Sequence, residues 1–179
     1  VLPPIHAPHR VRYEGDTDHP DHPHEDLPGV YPRGSEQDRV LGRIHQAALQ
    51  TWRTYLQVSA EAFNTQGLSI STPESVKALD AVATGNGKTN IFAVVAARRK
   101  AGTFSVGRMI VTSASVQVHG NTAVISACAD DQSYEVDQTG KTVTPAPGAQ
   151  AFTSTLVRTA RAWKVTDSKL GGLTCPAAS

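Results

Sequence analysis

Five histidines, His6, His9, His19, His22 and His24, stand in the first 24 residues, with Asp18, Asp21, Glu25 and Asp26 around them. Imidazole and carboxylate together suit zinc, nickel or copper. His19, His22 and His24 form the candidate metal set, because a proline-stiffened strand turns alternate side chains such as His22 and His24 to one side. A built metal centre also needs neighbouring groups that orient its ligands. This segment has no core from which to supply them. The reading therefore expects solvated or docked side chains here, and no cofactor.

A second candidate lies late in the chain. Asp130 and Asp131 follow Cys128 in a strand-like run. Adjacent strand residues point to opposite faces, so one acid enters an interior while the other meets water. An acid in an apolar interior has a raised pKa and suits general-base work. Tyr134 is its candidate partner, and Trp52 and Trp163 are candidate pocket walls. The simpler reading puts Trp52, Tyr55, Phe63, Phe92, Phe104 and Trp163 in a core. His45 and His119 are the histidines beyond residue 34. No Ser-His-Asp or Cys-His pairing follows from this spacing, and the expectation is that the protein is not an enzyme.

Gly85-Asn86-Gly87-Lys88-Thr89 invites a phosphate-loop reading. That motif needs a further glycine where Val82 stands, and it should follow a strand. Here it follows a helical pattern, so an interhelical turn with an exposed Lys88 is expected. Arg98-Arg99-Lys100, with Arg108, Arg158 and Arg161, could form a basic patch. The net charge is only +1, and no nucleic-acid motif appears, so no nucleic-acid partner is expected. No apolar run approaches the ~20 residues of a membrane span.

The elements that must hold these residues fall into two unlike parts. Residues 1–34 contain seven of the eleven prolines. Proline lacks an N–H and fixes φ, so an extended arm is expected. The arm has three arginines against six acids, a charge of −3, which leaves +4 on the remainder. Its apolar residues Leu2, Ile5, Val11, Tyr13, Leu27, Val30 and Tyr31 are candidate contacts with a partner surface. The chain begins at Val1, which implies removal of a signal peptide or of an initiator Met.

From 35 to 175 the pattern is that of one folded domain, followed by a tail over 176–179. Ser35 is a candidate N-cap, with Glu36 and Asp38 in the first turn. Val40, Ile44, Ala47, Ala48, Trp52, Tyr55, Leu56, Ser59 and Phe63 recur at helical spacing and predict one buried stripe. Thr72-Pro73-Glu74 opens a second helix. Thr84–Gly87 predicts a break, and Thr89–Ala101 a third helix. Alternation then predicts a strand over Thr103–Val118, bent at Gly107, and another over Thr122–Asp137. A loop runs to Gly148. Ala151–Thr159 and Trp163–Lys169 predict a last hairpin. Cys128 and Cys175 are either two free thiols or a disulfide.

Helices followed by a curved four-stranded antiparallel sheet resemble the nuclear transport factor 2-like (cystatin-like) cone, an α+β fold. More narrowly, three segments resemble small proteins of high-GC Gram-positive bacteria and their mobile elements. They are Asn121–Asp131 with its cysteine and acids, Asp137-Gln-Thr-Gly140-Lys141, and Leu156-Val-Arg with Trp163-Lys-Val165-Thr-Asp167 and Cys175. The resemblance covers residues 36–175 and implies that Cys128 and Cys175 are paired. A disulfide implies a compartment outside the cytosol: secreted, cell-surface or virion-associated. The function expected is non-enzymatic protein–protein interaction or assembly, with the arm docking on a partner or a neighbouring subunit. The alternative is a small-molecule-binding or isomerase/lyase-type cone that uses an acid in its pocket.

Overall fold

The computed structural model describes residues 36–64, 72–160, 162–171 and 175. The arm contacts, the His19, His22 and His24 set, the Ser35 cap and Arg161 lie outside the described residues. Three helices come first: α1 over Glu36–Asn64, α2 over Pro73–Val82 and α3 over Gly85–Ala101. Seven strands follow: β1 Thr103–Val106, β2 Met109–His119, β3 Thr122–Asp131, β4 Tyr134–Asp137, β5 Thr142–Thr144, β6 Gly148–Arg158 and β7 Trp163–Leu170. The main sheet has four antiparallel strands in the order β2-β3-β6-β7, and β1-β4-β5 form a small second sheet. Helices on an antiparallel sheet make this an α+β fold, as the sequence pattern predicts.

Two of the expected long strands are each divided. Thr103–Val118 becomes β1 and β2, and Thr122–Asp137 becomes β3 and β4. Both breaks fall at one level, because Val106 pairs with Tyr134 and Met109 with Asp131. Gly107 has φ 107°, and a Cβ there would lie 2.6 Å from the Gln132 carbonyl oxygen. The two chains therefore turn a corner together. The Gln132 N–H donates to the Arg108 carbonyl across it at 3.0 Å. The expected loop before Gly148 also contains β5, which pairs with β4. Asp137 Oδ1 closes that turn by accepting from the Thr139 hydroxyl at 2.6 Å and the Lys141 N–H at 3.0 Å. These bonds hold its carboxyl below the usual carboxylate range, the Thr139 side chain contributing most.

The helix starts mix agreement and correction. Thr72 Oγ1 accepts from the Ser75 N–H at 3.2 Å and caps α2, with Pro73 in the first turn. α3 begins at Gly85 rather than Thr89, so the glycines expected to break the chain lie inside a helix. A tertiary contact overrides their poor propensity. The Thr84 N–H donates to the Val165 carbonyl at 2.8 Å, and Ala83 bridges to Val165. A Cβ on Gly87 would lie 2.6 Å from that same Val165 oxygen. Only a glycine permits this approach of α3 to β7.

The core lies between the helices and the main sheet. Trp52, Leu79, Ile125, Leu156 and Val165 are its largest fully buried apolar side chains. Ala123, Ile125, Ala127 and Ala129 of β3 face the helices. Cys128, between two of them, points to the opposite face. There it is joined to Cys175 in a disulfide, with the Cα atoms 5.6 Å apart. An interior strand is thus tied to the tail beyond β7. Trp52 Nε1–H donates to Ser154 Oγ at 3.0 Å, and that hydroxyl also meets Ser168 Oγ at 2.8 Å.

Two outcomes follow. Ser154→Ala strands a buried indole N–H and should lower unfolding free energy by about 1–3 kcal/mol in urea titration. Reducing the Cys128–Cys175 bond should lower the thermal midpoint, and the loss in a denaturant titration should be about 3–4 kcal/mol.

Candidate functional site

A cavity of 350 Å³ opens between α1, α3 and the corner that joins β1 to β2. α1 contributes Leu56 and Phe63, α3 contributes Ile91 and Val94, and the sheet contributes Met109 and Phe152. Apolar walls with a few convergent polar groups are the usual make-up of a small-molecule site. The polar groups here differ in how firmly they are held. Tyr55 O–H donates to the Gly87 carbonyl at 3.1 Å. Burial pushes its phenol above the ordinary range; Ser59 opposes that shift and Asp167 adds to it.

Arg98 is the most constrained cation in this wall. Its guanidinium bonds Ser105 Oγ at 2.6 Å and Glu135 Oε1 at 2.8 Å. It also sits over the Phe63 ring, 4.6 Å from the centroid. An i,i+4 step from Ile91 to Val95 and an i,i+3 step to Arg98 put the three on one side of α3. Lys169, another lining cation, pairs with Asp167 at 3.0 Å. Arg108 follows the corner glycine, lines the same cavity and is exposed.

Of the candidate acids, Asp131 lines the cavity and Asp130 does not. The alternation of β3 turns Asp131 toward the helix side, while Asp130 accepts from Gln132 Nε2 at 2.7 Å. Asp131 Oδ1 is engaged by the Ser133 N–H at 3.0 Å and the Ser133 hydroxyl at 2.6 Å. Tyr134 stands 37% exposed on β4 and does not line the cavity, so it is no partner for Asp131. Trp52 lies in the core rather than in the cavity wall. Neither His45 nor His119 lines the cavity. Among the described residues, no three His, Cys, Asp or Glu side chains gather as a metal set.

Trp163 is also buried in the core, and it reaches a second concave region. A groove of 560 Å³ runs between the first half of α1 and the β6–β7 hairpin. Val40, Ile44, Ala47 and Trp163 give it an apolar floor, with Arg43 and Arg158 beside it. The predicted buried stripe of α1 therefore stops short. Burial begins at Ala48, whereas Val40 remains 40% exposed. The residues that could have formed a basic patch are dispersed, with Arg98 and Arg108 at the cavity and Arg158 at the groove. Lys88 is not merely exposed: it pairs with Asp80 and lies over the Phe92 ring.

No protein-family model matches this sequence, and no curated protein matches it. Solved structures do share its fold. The intermembrane space region of the chloroplast protein ARC6 has a TM-score of 0.52 at 15% identity, over 70% of this chain and 95% of that one. A nuclear transport factor 2-like protein with a cystatin-like fold from Novosphingobium aromaticivorans scores 0.48 at 12% identity, over 79% and 90%. A proposed dehydratase of the nuclear transport factor 2-like family from Streptomyces avermitilis scores 0.42 at 14% identity, over 73% and 97%. At such identities the likeness concerns fold alone.

Several wall residues carry no chemical signal in the sequence. Phe152 and Met109 read only as strand residues, and Val94 only as part of an apolar helix segment. Alternation about Asp131 was the usable clue to the sheet side. The Arg98–Glu135 pair gives a direct check. Glu135→Leu removes the counter-charge of a half-buried guanidinium and should lower stability by about 1–3 kcal/mol in chemical denaturation.

Proposed function

We propose that the protein is a non-enzymatic assembly module working outside the cytosol, where it joins a neighbouring copy of itself. The groove on the first half of α1 supports this reading most directly. An apolar strip that continues a core stripe, yet stays partly exposed beside two arginines, suits a segment that is apolar and acidic. The 1–34 segment of a neighbouring copy has that composition, with Leu27, Val30 and Tyr31 beside Glu25 and Asp26. Proline lowers the entropy lost when such a segment is immobilised.

The Cys128–Cys175 bond supports an extracytoplasmic setting. A secreted, surface or virion protein of high-GC Gram-positive bacteria or their mobile elements is the finer setting we attach to it. No helix among the described residues is long and apolar enough to cross a membrane. The non-enzymatic reading draws support from Asp131. Its Oδ1 is bound by Ser133, and among the described residues no histidine lines the cavity beside it.

A second reading is favoured by a separate observation, the apolar cavity of 350 Å³. Its volume and lining suit a small bound molecule. On this reading the cone is a carrier or sensor, and its walls bind without performing chemistry.

Native mass measurement under non-reducing conditions tests the assembly reading. The full chain should form an oligomer. Removal of residues 1–34, or Ile44→Asp in the groove floor, should shift it toward monomer by about tenfold or more in dissociation constant. The thermal transition of the truncated chain should stay close to that of the full chain. A full-length protein that remains monomeric at high concentration overturns the reading.

A further inference from the structure

We propose that the cavity between α1 and α3 takes a long-chain carboxylate, with its acid group paired to Arg108 and its chain against Leu56, Val94 and Phe152. This inference rests on the small-molecule reading of the cavity and names the class of ligand. Among the described residues, Arg98, Arg108 and Lys169 line the cavity together with Asp131. Glu135 and Asp167 neutralise two of these cations, so the preference for an anionic group rests on the third, Arg108.

The three cations are not equivalent. Arg98 is held by Glu135 and Ser105 and stacks on Phe63. Lys169 is paired with Asp167. Asp131 has its Oδ1 engaged by Ser133. Arg108 is the lining cation whose side chain makes no ion pair or hydrogen bond among the described residues. Its backbone is nevertheless fixed, because its carbonyl accepts from the Gln132 N–H at the corner. On this fixed backbone the open guanidinium is available to an anion. A single guanidinium fork matches the two oxygens of a carboxylate.

The walls decide the rest of the ligand. Leu56 and Phe63 on α1, Ile91 and Val94 on α3 and Phe152 on β6 offer no hydrogen bond. A ligand that is polar throughout would lose hydration there without compensation. Tyr55, whose hydroxyl is already spent on Gly87, adds ring surface rather than a polar contact. An unbranched hydrocarbon chain fits such a lining, and its burial supplies the affinity.

Isothermal titration with decanoate and with decanol, below their aggregation limits, tests this on the full chain. Decanoate should bind with one site per chain. Decanol should bind about tenfold or more weakly, and Arg108→Ala should weaken decanoate by a similar factor. Arg108→Lys should recover part of the loss, and Val94→Trp should block both ligands. Arg108 is exposed, so circular dichroism should report an unchanged fold for its variants. Equal binding of decanoate and decanol, insensitive to Arg108→Ala, would overturn the head-group assignment and leave the cavity reading standing. Binding of neither ligand to the folded protein would overturn both.

Discussion

Gly107 and Gln132 approach so closely that a single added methyl group would sit 2.6 Å from a carbonyl oxygen. The rest of the architecture depends on that approach. It bends two antiparallel strands at one level, so that β1 and β4 leave the main sheet while β2 and β3 remain in it. The divergence leaves space against α1 and α3, and the cavity occupies it. Arg108 and Asp131, on either side of the bend, are carried to the cavity by the same turn. A straight hairpin would have continued the alternation and left no corner for either.

Much of the frame was legible because it obeys local rules. The Thr72 cap, the proline after it and the helical spacing of Trp52, Tyr55 and Ser59 all state their places without tertiary help. The corner was half legible. Gly107 marked a bend, but Gln132-Ser133 opposite looks like ordinary strand, and the division of both strands depends on how they meet. The start of α3 was not legible for a related reason. Gly85 and Gly87 weaken a helix in isolation, and only the Val165 carbonyl shows why small residues are needed there.

The candidate site divides in the same way. Alternation placed one acid inside, and that acid is Asp131. It could not say that Ser133 engages that acid, or that Tyr134 leaves by the second sheet. Trp52 and Trp163 were grouped as aromatic walls, yet both are buried in the core, and Trp163 also floors a groove. The cysteine pairing came from resemblance, since spacing alone left two free thiols open. Nothing in the sequence could show that the arginine run would disperse. Helical rotation sends Arg98 toward Glu135, while Arg108 and Arg158 sit at different ends of the sheet.

α1 gives the molecule its division of labour. Its first half, from Val40 to Thr51, borders the groove, and its second half, from Tyr55 to Asn64, borders the cavity. Trp52 stands between them, fully buried and fixed to Ser154. A large ring with its one polar atom satisfied acts as a rigid plug. The two concave regions thus share a helix but not a wall. An occupant at either one meets residues that the other does not use, so the proposed assembly and the proposed small-molecule binding can be tested apart by single substitutions along one helix.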